Sequence, residues 1–180
     1  MRTLPRASVR DKAPPEVTDL DGRPTDPFGD PKAKSVILVF VCTDCPVANR
    51  FAPEIERLYE TYSGRNVDFW LVYADRRDGA AKIRDHLRDY HYKLTALRDP
   101  AHRLVKRCGA TKTPEAVVFA ADGKKVYRGR IDDRFTDFGK SRSAPSHRDL
   151  QEAIEAVLSG RPVKVANTAV VGCFIPDVDP

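Results

Sequence analysis

The chain has no run of about 18 apolar residues, so the sequence offers no helix that could cross a bilayer. It also lacks the apolar stretch that a secretory signal needs, because the basic first ten residues, MRTLPRASVR, continue into polar sequence. We therefore expect a soluble protein without a membrane span. It should be cytoplasmic, or extracytoplasmic if a leader has been removed.

Concentrated positive charge is also missing. The net charge is +5, but basic residues alternate with acids, as in RDHLRDY over residues 84–90. A nucleic-acid interface usually needs a basic stripe interleaved with aromatic side chains, and the chain has none, so we expect no nucleic-acid partner. Four cysteines in 180 residues are too few for a disulfide scaffold, so their placement points to chemistry.

The length fits one domain with tails. Residues 1–33 are rich in proline, aspartate and glycine and predict an N-terminal arm with a short strand in VTDLDGRP. Residues 34–160 carry the regular apolar patterns of a globular domain. Residues 161–180 form a C-terminal tail that contains Cys173 in an apolar stretch.

Hydrophobic periodicity predicts alternating strands and helices. SVILVFV, residues 35–41, is a continuous apolar run typical of a strand buried on both faces. After Pro46, apolar residues recur at helical spacing as far as Tyr62. Glu115 to Ala120 precede an Asp122-Gly123 turn, which indicates a hairpin. The predicted order, β-α-β-α-(β)-α-β-β-α, indicates an α/β fold with a central mixed β-sheet flanked by helices on both faces.

Two cysteines, Cys42 and Cys45, stand where the first strand meets the first helix. Cys45 precedes Pro46 and should face the unpaired N–H groups at the helix start, which favour thiolate over thiol. Lowering a thiol pKa from about 8.5 to about 6.5 raises the ionised fraction at pH 7 from roughly 3% to roughly 75%. Cys42 should benefit less, and a carboxylate at Asp44 should oppose the thiolate.

A C-x-x-C sequence beside a βαβ pattern is typical of a thioredoxin-like redox motif. Thr113-Pro114 directly precedes the predicted strand EAVVFA. An X-Pro bond there can be cis, and such a turn beside the redox loop would shape a docking surface for a partner disulfide.

Residues 13–160 resemble the thioredoxin-like superfamily, in its redoxin branch between TlpA-type oxidoreductases and AhpC/TSA peroxiredoxins. The resemblance is carried by APPEVTDLDGRP, CPVANRFAPEI, YRGRIDDRFTDFGK and the terminal GCFI. It implies a thioredoxin-like fold and a thiol-disulfide oxidoreductase that needs no cofactor. Its partners would be protein or small-molecule disulfides and a thiol reductant.

The alignment of this sequence with the thioredoxin motif implies a role for each of the two cysteines. Thioredoxins carry Ala-Pro seven and eight residues after the nucleophilic cysteine, and here Ala52-Pro53 stand at those distances from Cys45. The usual resolving position is Ala48, so the resemblance implies Cys45 as nucleophile and Cys42 as resolving thiol. Thr113 and Pro114 would present backbone to the substrate.

A thiol peroxidase is the first alternative, with Cys45 peroxidatic and Cys42 or Cys173 condensing with its sulfenic acid. Peroxiredoxins keep Thr or Ser three residues before that cysteine, where this chain has Cys42, so Thr43 would have to substitute. Arg128 or Arg130 would supply the positive charge.

Two further alternatives are not enzymes: a copper or other metal carrier using the cysteines, and an interaction module in which both cysteines of the pair are buried. The four histidines show no metal-ligand spacing and are expected to be solvated; they are His86, His91, His102 and His147. We predict no bound metal and a core position for Cys108.

Overall fold

The computed structural model describes residues 17–177. Its main sheet has five strands in the spatial order β3-β2-β1-β5-β6. These strands are β1 Ser35–Val41, β2 Val67–Tyr73, β3 Thr95–Arg98, β5 Glu115–Ala120 and β6 Lys125–Gly129. β1 and β3 lie parallel to β2, whereas β5 is antiparallel to both β1 and β6. The predicted mixed sheet is therefore confirmed.

The helices are α1 Pro46–Tyr62, α2 Ala80–Asp89, α3 Arg103–Cys108 and α4 Asp149–Leu158. Two small sheets complete the fold. One pairs β4 Lys112–Thr113 with β9 Cys173–Phe174, and the other pairs β7 Phe135–Asp137 with β8 Lys140–Ser141. Between residues 17 and 177, no helix is long and apolar enough to cross a membrane.

Both faces of the sheet are covered, as the sequence predicts. Side chains of β1 alternate between two apolar cores because successive residues of a strand point to opposite faces. Ile37 and Val39 pack in the core that includes residues of α1, α2 and α4. Leu38 and Phe40 pack in the second core, with α3 and part of residues 17–33.

The first helix forms as predicted and fixes the position of the redox motif. Its apolar face, Phe51, Ile55, Leu58 and Tyr62, is at most 2% exposed. Pro46 occupies the first turn, where its missing N–H costs nothing, and Cys45 is the N-cap residue. Because this face anchors α1 against the sheet, it fixes where the helix start meets the end of β1.

Several predicted details differ from the structure. The strand expected in VTDLDGRP is reduced to isolated bridges that join Thr18 to Pro24 and to Arg98. The Asp19 side chain accepts hydrogen bonds from the backbone N–H groups of Asp21 and Arg23, which favours a turn over an extended strand. The strands of both small sheets were not predicted, since strands of two or three residues leave no periodic signal in the sequence.

Candidate active site

The site lies where β1 ends and α1 begins. Val41 is the last residue of β1, Cys42 follows it, and Cys45 caps α1. The backbone of Cys45 is extended, with φ −82° and ψ 109°, which aims its side chain at the first turn of the helix. Its sulfur accepts a hydrogen bond from the backbone N–H of Ala48 at 3.4 Å. This is the contact with the helix start that the sequence predicts.

Thr113 and Pro114 lie beside these cysteines, although some 70 residues separate them in sequence. The sulfur of Cys45 lies 3.1 Å from the carbonyl oxygen of Thr113, to which its protonated form donates. The sulfur of Cys42 lies 3.5 Å from the hydroxyl of the same residue. The Thr113-Pro114 peptide bond is cis and leads directly into β5. The fold thus brings four of the predicted site residues together.

Hydrogen bonding holds the pKa of Cys45 well below its usual value of 9.0. The largest cause is the hydrogen bond from the Cys42 thiol, and burial opposes it. Smaller contributions come from Cys173, Thr113 and the amide of Ala48. The neighbouring thiol of Cys42 therefore lowers the pKa of Cys45 more than the amide of Ala48 at the helix start does.

The other cysteines stay protonated. The hydrogen bond to Cys45 raises the pKa of Cys42, and burial adds to that increase. Burial, followed by the hydrogen bond to Cys45, raises the pKa of Cys173 to about 12. Burial alone accounts for most of the increase in the pKa of Cys108 to about 12, and this cysteine lies in the second core as predicted. The site therefore combines one thiolate with two thiols that donate to it.

Accessibility differs among the three thiols at the site. Cys45 is 0% exposed, whereas Cys42 and Cys173 are both partly exposed. In this conformation the sulfur of Cys45 is covered, and the tail strand β9 lies beside the cysteine pair.

The Asp44 carboxylate has a cationic partner that the sequence did not predict. Its carboxylate is exposed and forms an ion pair with Lys82 at 2.7 Å, which lowers the pKa of Asp44. Lys82 also contacts Asp78 at 3.0 Å. Lys82 therefore offsets part of the negative charge that Asp44 brings to the redox loop.

A buried polar network supports the loop between the two cysteines. Asp78, 2% exposed, accepts a hydrogen bond from the Thr43 hydroxyl at 2.6 Å and another from the Thr43 amide at 3.1 Å. Asn49 donates to the Thr43 carbonyl at 3.0 Å, and its own oxygen lies 2.8 Å from Nε2 of His86. Tyr73 lies 2.8 Å from Nδ1 of the same ring. These contacts fix the backbone on which Cys42 and Cys45 are carried.

The prediction of solvated histidines is wrong for two of them. His86 and His102 are each 5% exposed, and burial lowers the pKa of His86. His102 lies 3.0 Å from the carbonyl of Ala74 through Nε2. A signal for His86 existed in the sequence, since it lies three residues after Ile83 on the same side of α2.

The two arginines proposed for a peroxidase site are engaged in ion pairs. Arg128 contacts Glu115 at 3.1 Å and donates to the carbonyl of Gly109 at 2.6 Å. Arg130 contacts Asp149 at 2.8 Å. Neither guanidinium is free to stabilise a peroxide at Cys45 in this conformation.

No group of three or more His, Cys, Asp or Glu side chains within residues 17–177 is arranged to hold a metal ion.

The sheet order, the helix arrangement and the dithiol at the start of α1 define a protein of the thioredoxin-like fold. The Redoxin family matches residues 8–141, which is more than half of the chain. The chain therefore belongs to the redoxin family.

Solved structures agree with this fold. An uncharacterized conserved protein from Geobacillus kaustophilus matches with a TM-score of 0.78 and 26% identity over 93% of each chain. A protein of Sinorhizobium meliloti 1021 matches with a TM-score of 0.80 and 19% identity over 94% of each. A secreted disulfide oxidoreductase of Mycobacterium tuberculosis matches with a TM-score of 0.54 and 20% identity, covering 85% of this chain and 97% of that one.

Among curated proteins, thiol-disulfide oxidoreductase ResA of Bacillus thuringiensis subsp. konkukian is 29% identical over 110 residues. The aligned region covers 61% of this chain and 62% of that protein. The chain thus spans about three fifths of the length of the curated relatives that it matches.

Proposed function

We propose that this protein is a thiol-disulfide oxidoreductase in which Cys45 is the nucleophile and Cys42 the resolving thiol. The observation that carries the proposal is the geometry of the site: Cys45 caps α1 and accepts from the Ala48 amide, and Thr113 contacts both cysteines. Membership of the redoxin family and the similarity to ResA support the same activity.

The reaction begins with attack by the Cys45 thiolate on one sulfur of a substrate disulfide. The substrate S–S bond breaks, a Cys45–substrate mixed disulfide forms, and the departing thiolate takes up a proton. Thr113 and Pro114 present backbone to the incoming chain. No dissolved cofactor is required.

Formation of the mixed disulfide removes the negative charge from Cys45. That charge is what raises the pKa of Cys42, so the Cys42 thiol then ionises more easily. Cys42 loses its proton and attacks Cys45, which releases the second substrate thiol and leaves a Cys42–Cys45 disulfide. Two electrons have passed from the dithiol to the substrate, and a thiol reductant restores the dithiol.

Cys173 is a second possible resolving thiol, since it also donates a hydrogen bond to Cys45. We also propose that the chain divides into three parts. These are an arm of residues 1–33, a redoxin domain of residues 34–160 and a tail of residues 161–180. The tail would then contribute a thiol to a site built by the domain.

The alternatives have less support. A peroxidase needs a free hydroxyl and a positive charge, but the hydroxyl of Thr43 donates to Asp78 and both arginines are ion-paired. An interaction module was expected to bury both cysteines, and Cys42 is partly exposed.

Reduction of insulin disulfides by a thiol reductant tests the proposal. We expect the wild-type protein to accelerate it, Cys45→Ser to abolish the acceleration, and Cys108→Ser to leave it unchanged. Mass spectrometry of the mildly oxidised protein should find a Cys42–Cys45 bridge. Activity that persists in Cys45→Ser would overturn the proposal, and a Cys45–Cys173 bridge with Cys42 free would transfer the resolving role to Cys173.

A further inference from the structure

The tail returns to the site as a strand. β9 pairs antiparallel with β4, so that Cys173 lies opposite Thr113 and Phe174 opposite Lys112. Thr113 is also the residue that contacts both cysteines of the pair. We propose that β9 is a resident substrate mimic: it occupies the edge of β4 where an extended substrate chain would bind, and it must leave before Cys45 can react. This inference rests on the proposed function.

The tail presents a sulfur to Cys45 in the way that a substrate chain would. Extended peptides are commonly recognised by addition to an exposed strand edge, with side chains entering pockets at alternate positions. Here Cys173 stands opposite Thr113 on β4, and the carbonyl oxygen of Thr113 lies 3.1 Å from the sulfur of Cys45. Cys45 is 0% exposed although it stands at a helix start, where its sulfur would otherwise be open to a substrate.

Contacts on both sides of Cys173 hold the strand in register. The N–H of Ile175 donates to the carbonyl of Thr111 at 2.9 Å, and its side chain, 2% exposed, packs in the second core. Before the cysteine, Nζ of Lys112 donates to the carbonyl of Val170 at 3.1 Å. The same ammonium lies 5.0 Å from the centroid of the Phe174 ring. The tail is therefore docked, with an apolar anchor two residues after the cysteine.

Gly172 is the residue that permits this approach. A Cβ atom at this position would lie 2.1 Å from the carbonyl oxygen of Thr113 and 2.8 Å from its carbonyl carbon. Both obstacles are backbone atoms, so no side-chain rotation relieves the clash. A substrate that replaces the tail on β4 meets the same limit. We therefore infer that preferred substrates are extended polypeptides with glycine directly before the reactive cysteine and an apolar residue two positions after it.

The contacts that dock β9 on β4 are few enough for the strand to dissociate reversibly. The strand has two residues, and Phe174 is 61% exposed. A tethered segment competes at an effective concentration of about millimolar, so it suppresses dilute substrates without blocking the site permanently. The protein would therefore discriminate against substrates that bind β4 weakly.

Substitution of Gly172 by alanine in the full chain tests the mimic. The substitution changes no cysteine and should lift β9 from β4. The readout is the rate at which iodoacetamide alkylates Cys45 in the reduced protein, measured for each cysteine by mass spectrometry. We expect Gly172→Ala to raise this rate by about tenfold or more, since reactivity scales with the fraction of molecules in the open state.

Gly64→Ala is the matched control, because a Cβ there meets nothing within 4 Å and its backbone has no positive φ. It should react at the wild-type rate. Cys173→Ser keeps the strand and should also leave Cys45 covered. Alkylation of Cys108, which is buried, reports unfolding. If Cys108 reacts faster in Gly172→Ala, the test uses Ile175→Ala in its place, because that substitution weakens only the apolar anchor.

A folded Gly172→Ala protein whose Cys45 reacts at the wild-type rate would overturn the mimic. Equal exposure of Cys45 in Cys173→Ser would also overturn it, because the sulfur alone and not the strand would then be the cover. The two proposals fail separately. Faster alkylation without any insulin reduction would leave β9 as the cover of Cys45 but remove the oxidoreductase, and insulin reduction without any change in alkylation would remove the cover alone.

Discussion

Cys45 combines a low pKa with a position that has no solvent exposure. Burial of an isolated charge is costly unless hydrogen bonds replace the lost water. At this sulfur the replacement comes from Cys42, Cys173 and Thr113 and from the amide of Ala48. These donors together stabilise the thiolate form of Cys45 in the reduced protein, so the reactivity of Cys45 depends on each of them.

The donor at Cys42 can be removed without changing the helix. A hydrogen bond to a charged group contributes about 1.5–3 kcal/mol and about 1.36 kcal/mol corresponds to one pKa unit, so Cys42→Ala should raise the pKa of Cys45 by about 1 to 2. Titration of the ultraviolet absorbance of the thiolate measures it. Cys42→Ser keeps a hydroxyl donor and should raise the pKa less. Equal titration curves for wild type and Cys42→Ala would refute the assigned role.

Site residues could be predicted where they belong to a short motif of adjacent residues or stand at a fixed spacing from one. The resemblance pointed to Cys45 through Ala52-Pro53, and the Thr-Pro pair before β5 pointed to Thr113; the structure places the two residues in contact. The buried partners could not be found in this way. Asp78 lies 35 residues from Thr43, and only the packed structure shows that its carboxylate caps the cysteine loop.

At the scale of elements, the polar network joins α1, α2 and β2 beneath the redox loop. Asn49 comes from α1, His86 from α2 and Tyr73 from the end of β2. Asp78, just before α2, closes the network onto Thr43. Such a network makes the loop rigid only if every buried polar group has a partner.

Removal of the Asp78 carboxylate tests this role. Asp78→Ala leaves the amide and hydroxyl of Thr43 without their acceptor, and leaving buried donors unsatisfied costs about 1–3 kcal/mol. Urea denaturation should show a decrease in the free energy of unfolding within that range. Asp44→Ala is the matched control, since it removes the exposed partner of the same Lys82 and should cost much less. Equal losses in both variants would contradict a structural role for Asp78.

Long elements could be predicted because their periodicity is strong. The continuous apolar run of β1 and the repeating face of α1 both match the structure. The pairing of β4 with β9 could not be predicted, because each strand has two residues and the contact spans about 60 positions of the chain. Gly172 gave no signal by itself, since its importance lies in the carbonyl of Thr113 that it faces.

At the scale of the whole molecule, the chain closes on itself beside the redox site. After α4, the tail is fastened to β6 before it reaches β4. The amide of Arg128 donates to the carbonyl of Ala166, and the amide of Thr168 donates back to the carbonyl of Arg128. Gly129 makes room for Thr168, whose hydroxyl would lie 2.1 Å from a Cβ atom there. The tail is thus anchored upstream of β9, so displacement of the last strand need not release the rest.

The thiolate couples the redox state to the stability of the whole fold. The pKa of Cys45 is lower in the folded protein than its usual value of 9.0, so ionisation adds stability that is fully present above that value. This stability is lost as the pH falls toward the folded pKa. The raised pKa values of Cys42 and Cys173 act in the opposite sense, but only above their usual value of 9.0, so they contribute little at neutral pH.

A Cys42–Cys45 disulfide removes the thiolate and closes a very short loop, so it returns little entropic stabilisation. We therefore expect the reduced protein to unfold at higher urea concentration than the oxidised protein at pH 8, and the difference to shrink as the pH is lowered to 5. Groups that titrate equally in both redox states cancel in this comparison. Parallel denaturation series with and without reductant measure the difference, and Cys45→Ser should show none. A reduced protein that is less stable than the oxidised one across this range would contradict a stabilised thiolate and, with it, the oxidising character that such a thiolate gives to the disulfide.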